Sequence, residues 1–192
     1  MNYLAHIFLS DNKPGLQIGN FIADFVKGSK LNHFPTHIRE GIVLHRKIDT
    51  YTDAHYAVHE TIALLRPTFG RYSGIIVDMY FDHFLAKNFS TYAEKPLNKF
   101  AFHFYFFTLI YYKHLPSRVK GFIFHFITTN RLKKYATISG LKNSLEIMSA
   151  YKISALKPEE TIDFLINNYA DLEKKFHLFF PDLVEFVRKE RV

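Results

Sequence analysis

The 192-residue chain contains no cysteine and no tryptophan. Without cysteine it can form neither disulfides nor thiolate metal sites, and this composition suits a reducing compartment. The longest apolar run, residues 100–112, is shorter than the ~20 residues that a membrane span needs. The N-terminus has no basic region ahead of its apolar run, so the sequence predicts no signal peptide. These absences favour a soluble cytoplasmic protein without a membrane span.

Several familiar functional motifs are also missing. The sequence has no P-loop, no dinucleotide-binding glycine pattern and no Gly-x-Ser-x-Gly elbow. The net charge of +7 favours an anionic partner such as nucleic acid, anionic lipid or an acidic protein. Basic residues cluster at 131–134 and 188–191, but no helix-turn-helix or RNA-binding aromatic motif accompanies them. A nucleic-acid partner is therefore not expected.

Helical periodicity and aromatic residues dominate what is present. With 21 Phe and 12 Tyr, the core is expected to consist largely of rings. Proline and glycine cut the chain into segments of roughly 15–25 residues, which is typical of helices. The sequence predicts an all-α protein, a single-domain multi-helix bundle over residues 1–192. The predicted helices cover residues 16–27, 36–50, 54–69, 74–88, 96–112, 117–135, 138–151 and 158–180.

Ionisable side chains lie on apolar helix faces in the first half of the chain. Because positions four apart share a face, His45 and Asp49 point the same way as the neighbouring isoleucines. Asp78 and Asp82 repeat this spacing in the next predicted helix, with His83 beside them. Such groups are costly on a core-facing stripe unless they are paired or bind a metal.

The same spacing recurs twice nearer the N-terminus, pairing Asn20 with Asp24 and Asn2 with His6. Six of the nine Asp and seven of the eleven His lie within the first 83 residues. Imidazole and carboxylate together suit Mn²⁺, Fe²⁺, Zn²⁺ or Mg²⁺. Such an ion activates water and neutralises charge on a phosphoryl oxygen. Arg46 is placed to clamp a phosphate.

Each pair also has a purely structural interpretation when it is taken alone. His45 and Asp49 would form a hydrogen-bonded core pair, and Asp24 would cap a turn or join a salt bridge. Asp53 and His55 would cap the following helix. The joint occurrence of four such pairs favours a functional site.

Five blocks of the sequence resemble the acyl carrier protein phosphodiesterase family. They are NYLAHIFLS (residues 2–10), GNFIADFVKG (19–28), GIVLHRKIDTYTDAH (41–55), VDMYFDHFLAKNF (77–89) and YADLEKKFHLFFP (169–181). The resemblance implies a hydrolase that removes 4′-phosphopantetheine from holo acyl carrier protein, an acidic protein substrate. It also implies a helical fold similar to HD-type metal phosphohydrolases, and a divalent metal, typically Mn²⁺ or Mg²⁺.

The resemblance also assigns residues to roles. Its motifs place Asp24, His45, Arg46 and Asp49 among the catalytic residues. We expect the metal ligands to come from Asp24, His45, Asp78, Asp82 and His83, with Asn2, His6, Asn20 and Asp53 around them. Metal-activated water would attack phosphorus while Asp49 orients His45. Two other functions stay open: an HD-type phosphohydrolase acting on nucleotides, and a non-enzymatic basic helical module that docks an acidic protein.

Overall fold

The structure, a computed structural model, describes residues 2–29, 31–151 and 153–190. In these ranges the chain forms helices and no strand, which confirms the all-α prediction. The α-helices are α1 (Tyr3–Phe8), α2 (Pro14–Ile22), α3 (Thr36–Ala54), α4 (Tyr56–Phe69), α5 (Ser73–Lys87), α6 (Phe89–Tyr92), α7 (Leu97–Ile110), α8 (Ser117–Lys120), α9 (Ile123–Thr128), α10 (Arg131–Lys134), α11 (Ile138–Tyr151), α12 (Pro158–Asn167) and α13 (Tyr169–Glu190). Within the described ranges, none of these helices has the length and apolarity needed to cross a membrane.

Aromatic rings fill one continuous core, as the composition predicts. The cluster joins residues from α1 through α13, which is the core of a single-domain bundle. On α13, Phe176 and Phe180 stack with ring centroids 5.1 Å apart, and Phe180 reaches Phe8 of α1 at 5.8 Å. Each such ring buries a large apolar area, so these contacts stabilise the packing of α13 against the N-terminal helices.

Close contact between α2 and α3 depends on two glycines. A side chain at Gly19 would overlap the backbone oxygen of Ile38, and one at Gly41 would overlap that of Leu16. Only glycine permits backbones to approach this closely. The contact brings the end of α2 beside the middle of α3, where His45 lies.

Two predicted helices are wrong. The helix predicted over 117–135 is three short helices, α8 to α10, and before α10 the chain turns at Asn130 with a φ of 48°. The helix predicted over 158–180 is two helices that meet at Asn168. Pro181, predicted as a breaker, lies inside α13. A proline in a helix costs about 3 kcal/mol, and burial of the neighbouring rings offsets that cost.

Candidate active site

His6 on α1 and His45 on α3 converge on one carboxylate, that of Asp49. The Nε2 atom of His6 lies 3.3 Å from Asp49 Oδ1, and Nε2 of His45 lies 3.1 Å from Asp49 Oδ2. The two imidazole rings stack with centroids 3.9 Å apart. Among residues 2–29, 31–151 and 153–190, these three are the His and acidic groups whose ligand atoms all lie within 4.8 Å of one another. We call them the His6–His45–Asp49 group.

Asp24 joins this group from the turn that follows α2. Its Oδ1 atom lies 3.1 Å from Nε2 of His45. The Asp24 side chain is 65% exposed, whereas that of His45 is 8% exposed. The group is therefore open to solvent on the side of Asp24, and the Asp49 side chain, 41% exposed, also reaches solvent.

Asn20 holds the ring of His45 in one orientation. The Nδ1 atom of His45 lies 2.9 Å from the backbone oxygen of Asn20 and 3.1 Å from its Oδ1. Because both oxygens only accept hydrogen bonds, Nδ1 carries the hydrogen, and Nε2 of the neutral ring has a lone pair. The Asn20 amide donates to the backbone oxygen of His6 at 2.8 Å, so it also ties α2 to α1.

The two histidines hold protons very differently. Burial, assisted by the neighbouring His45, lowers the pKa of His6 to about 4. Burial also opposes charge on His45, but hydrogen bonds to Asp24 and Asp49 outweigh it and raise the His45 pKa to about 9. The hydrogen bond to His45 lowers the pKa of Asp24. For Asp49, burial acts to raise the pKa, but the two histidines outweigh it and lower the value.

We expect the metal-free protein to lose stability as the pH rises toward 9. The pKa of His45 is raised in the folded state from 6.5 to about 9. Its stabilising contribution is therefore complete below pH 6.5 and disappears as the pH passes about 9. Urea unfolding in EDTA between about pH 6 and about pH 9.5 measures this slope, and His45→Gln should remove most of it. An NMR titration with His45 half-protonated at or below pH 6.5 would contradict the prediction.

The donor atoms of the group fit a divalent metal ion. His6 is 2% exposed, and apart from the 3.3 Å contact of Nε2 with the Asp49 carboxylate neither of its ring nitrogens has a polar partner. A buried polar atom without a partner is costly, and a metal ion at Nε2 would supply one. Nε2 of His45 faces the carboxylates of Asp24 and Asp49, and it would become a second ligand atom on giving up its proton to a metal. Two imidazole nitrogens with carboxylate oxygens suit Mn²⁺, Fe²⁺ or Zn²⁺.

Asp82 lies apart from this group, at the N-terminal end of α1. Its buried carboxylate accepts hydrogen bonds from the backbone N–H of Leu4 at 2.7 Å and of Ala5 at 3.1 Å. Burial raises the pKa of Asp82 to about 7, although these two bonds act in the opposite direction. The first N–H groups of a helix have no partner within the helix. Through these hydrogen bonds Asp82 holds α1 against α5, and α1 carries His6.

We expect Asp82→Ala to lower the free energy of unfolding by about 2–6 kcal/mol. The substitution leaves two buried N–H groups without acceptors, at about 1–3 kcal/mol each. Urea unfolding measures the change, and Asp163→Ala, which removes an exposed carboxylate of α12, is the matched control. A loss no larger than that of the control would show that Asp82 does not anchor α1.

The other residues predicted from α5 also lie outside the group. His83 places Nδ1 2.7 Å from the backbone oxygen of Tyr135 and Nε2 2.8 Å from the hydroxyl of Tyr169. Asp78 is half-buried on α5. Asp78, Asp82 and His83 are therefore not among the described residues whose ligand atoms all lie within 4.8 Å of one another.

The remaining predicted residues surround the group or cap helices. Arg46 is exposed and donates to the backbone oxygen of Gly28 at 2.7 Å, and Asp53 is exposed one turn beyond Asp49. Asn2 caps α1 by accepting the backbone N–H of Tyr3 at 2.9 Å. His55 caps α4, accepting the backbone N–H of Ala57 at 3.2 Å.

The sequence assigned His6 only a supporting place, but the structure puts it in the centre of the group. Polar residues near a chain start usually lie in solvent, and the short helix α1 was not predicted. The His6 ring is instead covered by the contact of α1 with α2 and α5. The signal available in the sequence was the i,i+4 pair of Asn2 and His6.

The helical fold thus sets two buried imidazoles beside carboxylates that reach solvent, an arrangement found in hydrolytic sites. A family model described as acyl carrier protein phosphodiesterase matches residues 1–183. The chain therefore belongs to the acyl carrier protein phosphodiesterase family.

Curated relatives carry the same family name. An acyl carrier protein phosphodiesterase of Yersinia pestis is 26% identical over 193 residues, which cover 100% of both chains. Those of Enterobacter sp. (strain 638) and Salmonella agona (strain SL483) are each 28% identical over 185 residues, covering 96% of both chains. No solved structure matches the chain. The likeness to HD-type phosphohydrolases stays a prediction.

Proposed function

We propose that the protein hydrolyses the phosphodiester bond between 4′-phosphopantetheine and a serine of holo acyl carrier protein. The products are apo acyl carrier protein and 4′-phosphopantetheine. The observation that carries the proposal is the His6–His45–Asp49 group, open to solvent at Asp24, in a chain of this family. The net charge of +7 supports it, since acyl carrier proteins are strongly acidic and opposite charges steer association. The proposal places the reaction in the cytoplasm.

The proposed reaction uses a divalent metal ion. Nε2 of His6, Nε2 of His45 and the carboxylate of Asp49 would hold it, with Asp24 at the open side. Mn²⁺ suits two imidazole ligands better than Mg²⁺ does, because Mg²⁺ prefers oxygen ligands; Fe²⁺ and Zn²⁺ are further candidates. When bound, such an ion supplies Lewis-acid charge and activates water at neutral pH.

The chain's own residues supply the remaining chemistry. Asp24 is exposed, and its lowered pKa keeps it ionised, so its carboxylate can accept a hydrogen bond from the attacking water and orient it. Asn20 and Asp49 keep the ring of His45 fixed. Arg46, on the exposed side of α3, offsets negative charge on the phosphoryl oxygens.

Mass spectrometry of holo acyl carrier protein incubated with the purified protein and Mn²⁺ tests the proposal. The carrier should lose the mass of its prosthetic group while 4′-phosphopantetheine appears. Asp24→Asn should slow this about a hundredfold, which is typical when a reacting group loses its orientation. Asp171→Asn, at an exposed carboxylate of α13, should have no effect.

Two outcomes would overturn the proposal. An unchanged carrier mass together with hydrolysis of simple nucleotides would favour the nucleotide phosphohydrolase. Binding of the carrier without hydrolysis and without any dependence on metal would favour the non-enzymatic docking module.

A further inference from the structure

The positive charge of the chain is concentrated in one segment, residues 95–145. This segment contains nine Lys and Arg residues and no Asp or Glu, whereas the rest of the chain has 16 Lys and Arg against 18 Asp and Glu. The net charge of +7 therefore comes entirely from this segment, which forms α7 to α10 and the start of α11. Such an asymmetry indicates a surface that attracts a negatively charged partner.

Most of these basic side chains have no acidic partner. Lys142 is paired with Glu159, and the buried Arg131 donates to Ser144. In the part of the chain that the structure describes, no acidic group lies within ion-pair distance of the other seven. The seven, of which Lys120 is half-buried and the others exposed, are Lys95, Lys99, Lys113, Arg118, Lys120, Lys133 and Lys134. Their charges are therefore available to a partner.

Helices α7 and α9 form a groove with exposed apolar side chains. Phe102, Phe106 and Leu109 of α7 are 71%, 52% and 46% exposed, and their spacing of four and three residues places them on one face of the helix. Together with Lys99 of α7 and Ile127 of α9, they line a groove of about 630 Å³. We call it the α7–α9 groove. Large apolar side chains exposed together are typical of an interaction site.

A further exposed ring and a further cation lie at the start of α9. Phe124 is 55% exposed, and its ring centroid lies 5.6 Å from that of Tyr112. The ammonium group of Lys120 lies 5.2 Å from the centroid of the same Tyr112 ring. Apolar rings and positive charges thus lie side by side on α7, on α9 and on the segment between them.

This surface is next to the open side of the candidate active site. The ring of Phe122, just before α9, lies 5.7 Å from that of Phe25, which directly follows Asp24. One turn along α9, the ring of Phe126 lies 5.5 Å from that of Phe21 on α2. Helix α9 therefore packs on the end of α2 and on the turn that carries Asp24.

An acidic protein complements this surface better than the other candidate partners do. A second copy of this chain would bring the same positive segment and be repelled. A membrane is flat and leaves a groove unfilled, and the aliphatic Leu109 and Ile127 give nucleic-acid bases no ring for stacking. An amphipathic helix places its apolar side chains in such a groove, and acidic residues on its flanks would meet Lys99 and the other cations.

We propose that the α7–α9 groove docks an acidic helical surface of the protein substrate and holds it beside the turn of Asp24. That this substrate is acyl carrier protein rests on the proposed function, whereas the charge and the apolar character of the docking surface do not. Docking there leaves the His6–His45–Asp49 group free for the prosthetic group, because none of these three residues lines the groove.

Calorimetric titration with apo acyl carrier protein tests the docking surface without any hydrolysis. Lys99→Glu should raise the Kd at least about tenfold, because it replaces an attraction by a repulsion. Lys174→Glu changes the net charge equally at an exposed lysine of α13 and should bind nearly as the wild type does. No binding to the wild type, or equal Kd values for the two variants, would overturn the proposal.

Phe102→Ser tests the apolar part of the surface. This variant should raise the Kd for the apo carrier about tenfold, as loss of an aromatic anchor does. Ile166→Ser, at a 53% exposed side chain of α12, should leave the Kd unchanged. Loss of binding to phosphatidylglycerol vesicles by Phe102→Ser, with wild-type affinity for the carrier, would show that the surface meets a membrane and refute the proposal.

NMR of the wild-type protein keeps the proposal testable if either variant does not fold. With ¹³C-labelled isoleucine methyl groups, the apo carrier should shift the signal of Ile127 and leave that of Ile166 in place. An unmoved Ile127 signal at saturating carrier would refute docking in the groove.

Steady-state hydrolysis separates this proposal from the proposed function. With holo carrier, Phe102→Ser should raise KM and leave kcat unchanged, because the groove binds the carrier away from the reacting bond. Hydrolysis by this variant with the KM of the wild type would refute the docking surface and leave the proposed function standing. Binding of the apo carrier at the groove without hydrolysis of the holo carrier would do the reverse.

Discussion

Replacing Asp49 with asparagine is expected to slow hydrolysis of holo acyl carrier protein by about 10- to 100-fold. Asp49 is the residue whose carboxylate faces Nε2 of both His6 and His45. Asparagine keeps the size of the side chain but loses the negative charge and one acceptor oxygen. The affinity for a divalent ion should fall, and the ring of His45 should be held less firmly in its orientation. Steady-state rates measured by mass spectrometry of the carrier give the effect.

Asp53→Asn is the matched control for this substitution. Asp53 lies one turn further along α3 and is exposed, so its replacement should change the rate little. The sequence placed Asp53 among the residues around the metal, and equal losses in the two variants would support that assignment. An Asp49→Asn variant with wild-type activity would remove Asp49 from the active site.

Chelation with EDTA is expected to reduce hydrolysis to the background rate, and added Mn²⁺ is expected to restore it. The reason is the donor set of the His6–His45–Asp49 group, in which both ring nitrogens of a buried histidine lack hydrogen-bond partners. Because the group contains two imidazoles, Mn²⁺ should restore the rate at lower concentration than Mg²⁺. Titrating each ion into the EDTA-treated protein after desalting measures this order.

His6→Gln separates a bound ion from a non-specific effect of EDTA. This variant removes one imidazole ligand, so the Mn²⁺ concentration for half-maximal recovery should rise at least about tenfold. His177→Gln replaces a histidine of α13 whose ring bonds Tyr92 and should recover as the wild type does. Full activity in EDTA would contradict a metal requirement.

The helical architecture was predictable from periodicity wherever one helix buries one face. The helix predicted over 138–151 is α11 with the same bounds, and that predicted over 36–50 is α3, which runs on to Ala54. The region 117–135 failed because its breaks depend on tertiary structure. Asn130 adopts a left-handed conformation that any sequence pattern signals weakly.

The sequence predicted the residues of the candidate site that lie on α3 better than those on the other helices. The spacing of His45 and Asp49 on an apolar stripe follows from helix geometry alone. The same rule predicted that Asp82 is buried, but its partners are N–H groups 77 and 78 residues away, which helix spacing does not reveal.

Diffraction from crystals soaked in Mn²⁺, recorded with anomalous scattering, locates the metal site. We expect one strong anomalous peak within bonding distance of Nε2 of His6, Nε2 of His45 and a carboxylate oxygen of Asp49. A peak at Asp82 and His83 would instead support the ligands predicted from α5. Such a peak, or the absence of any peak at the His6–His45–Asp49 group in Mn²⁺-dependent active protein, would show that this group does not bind the metal.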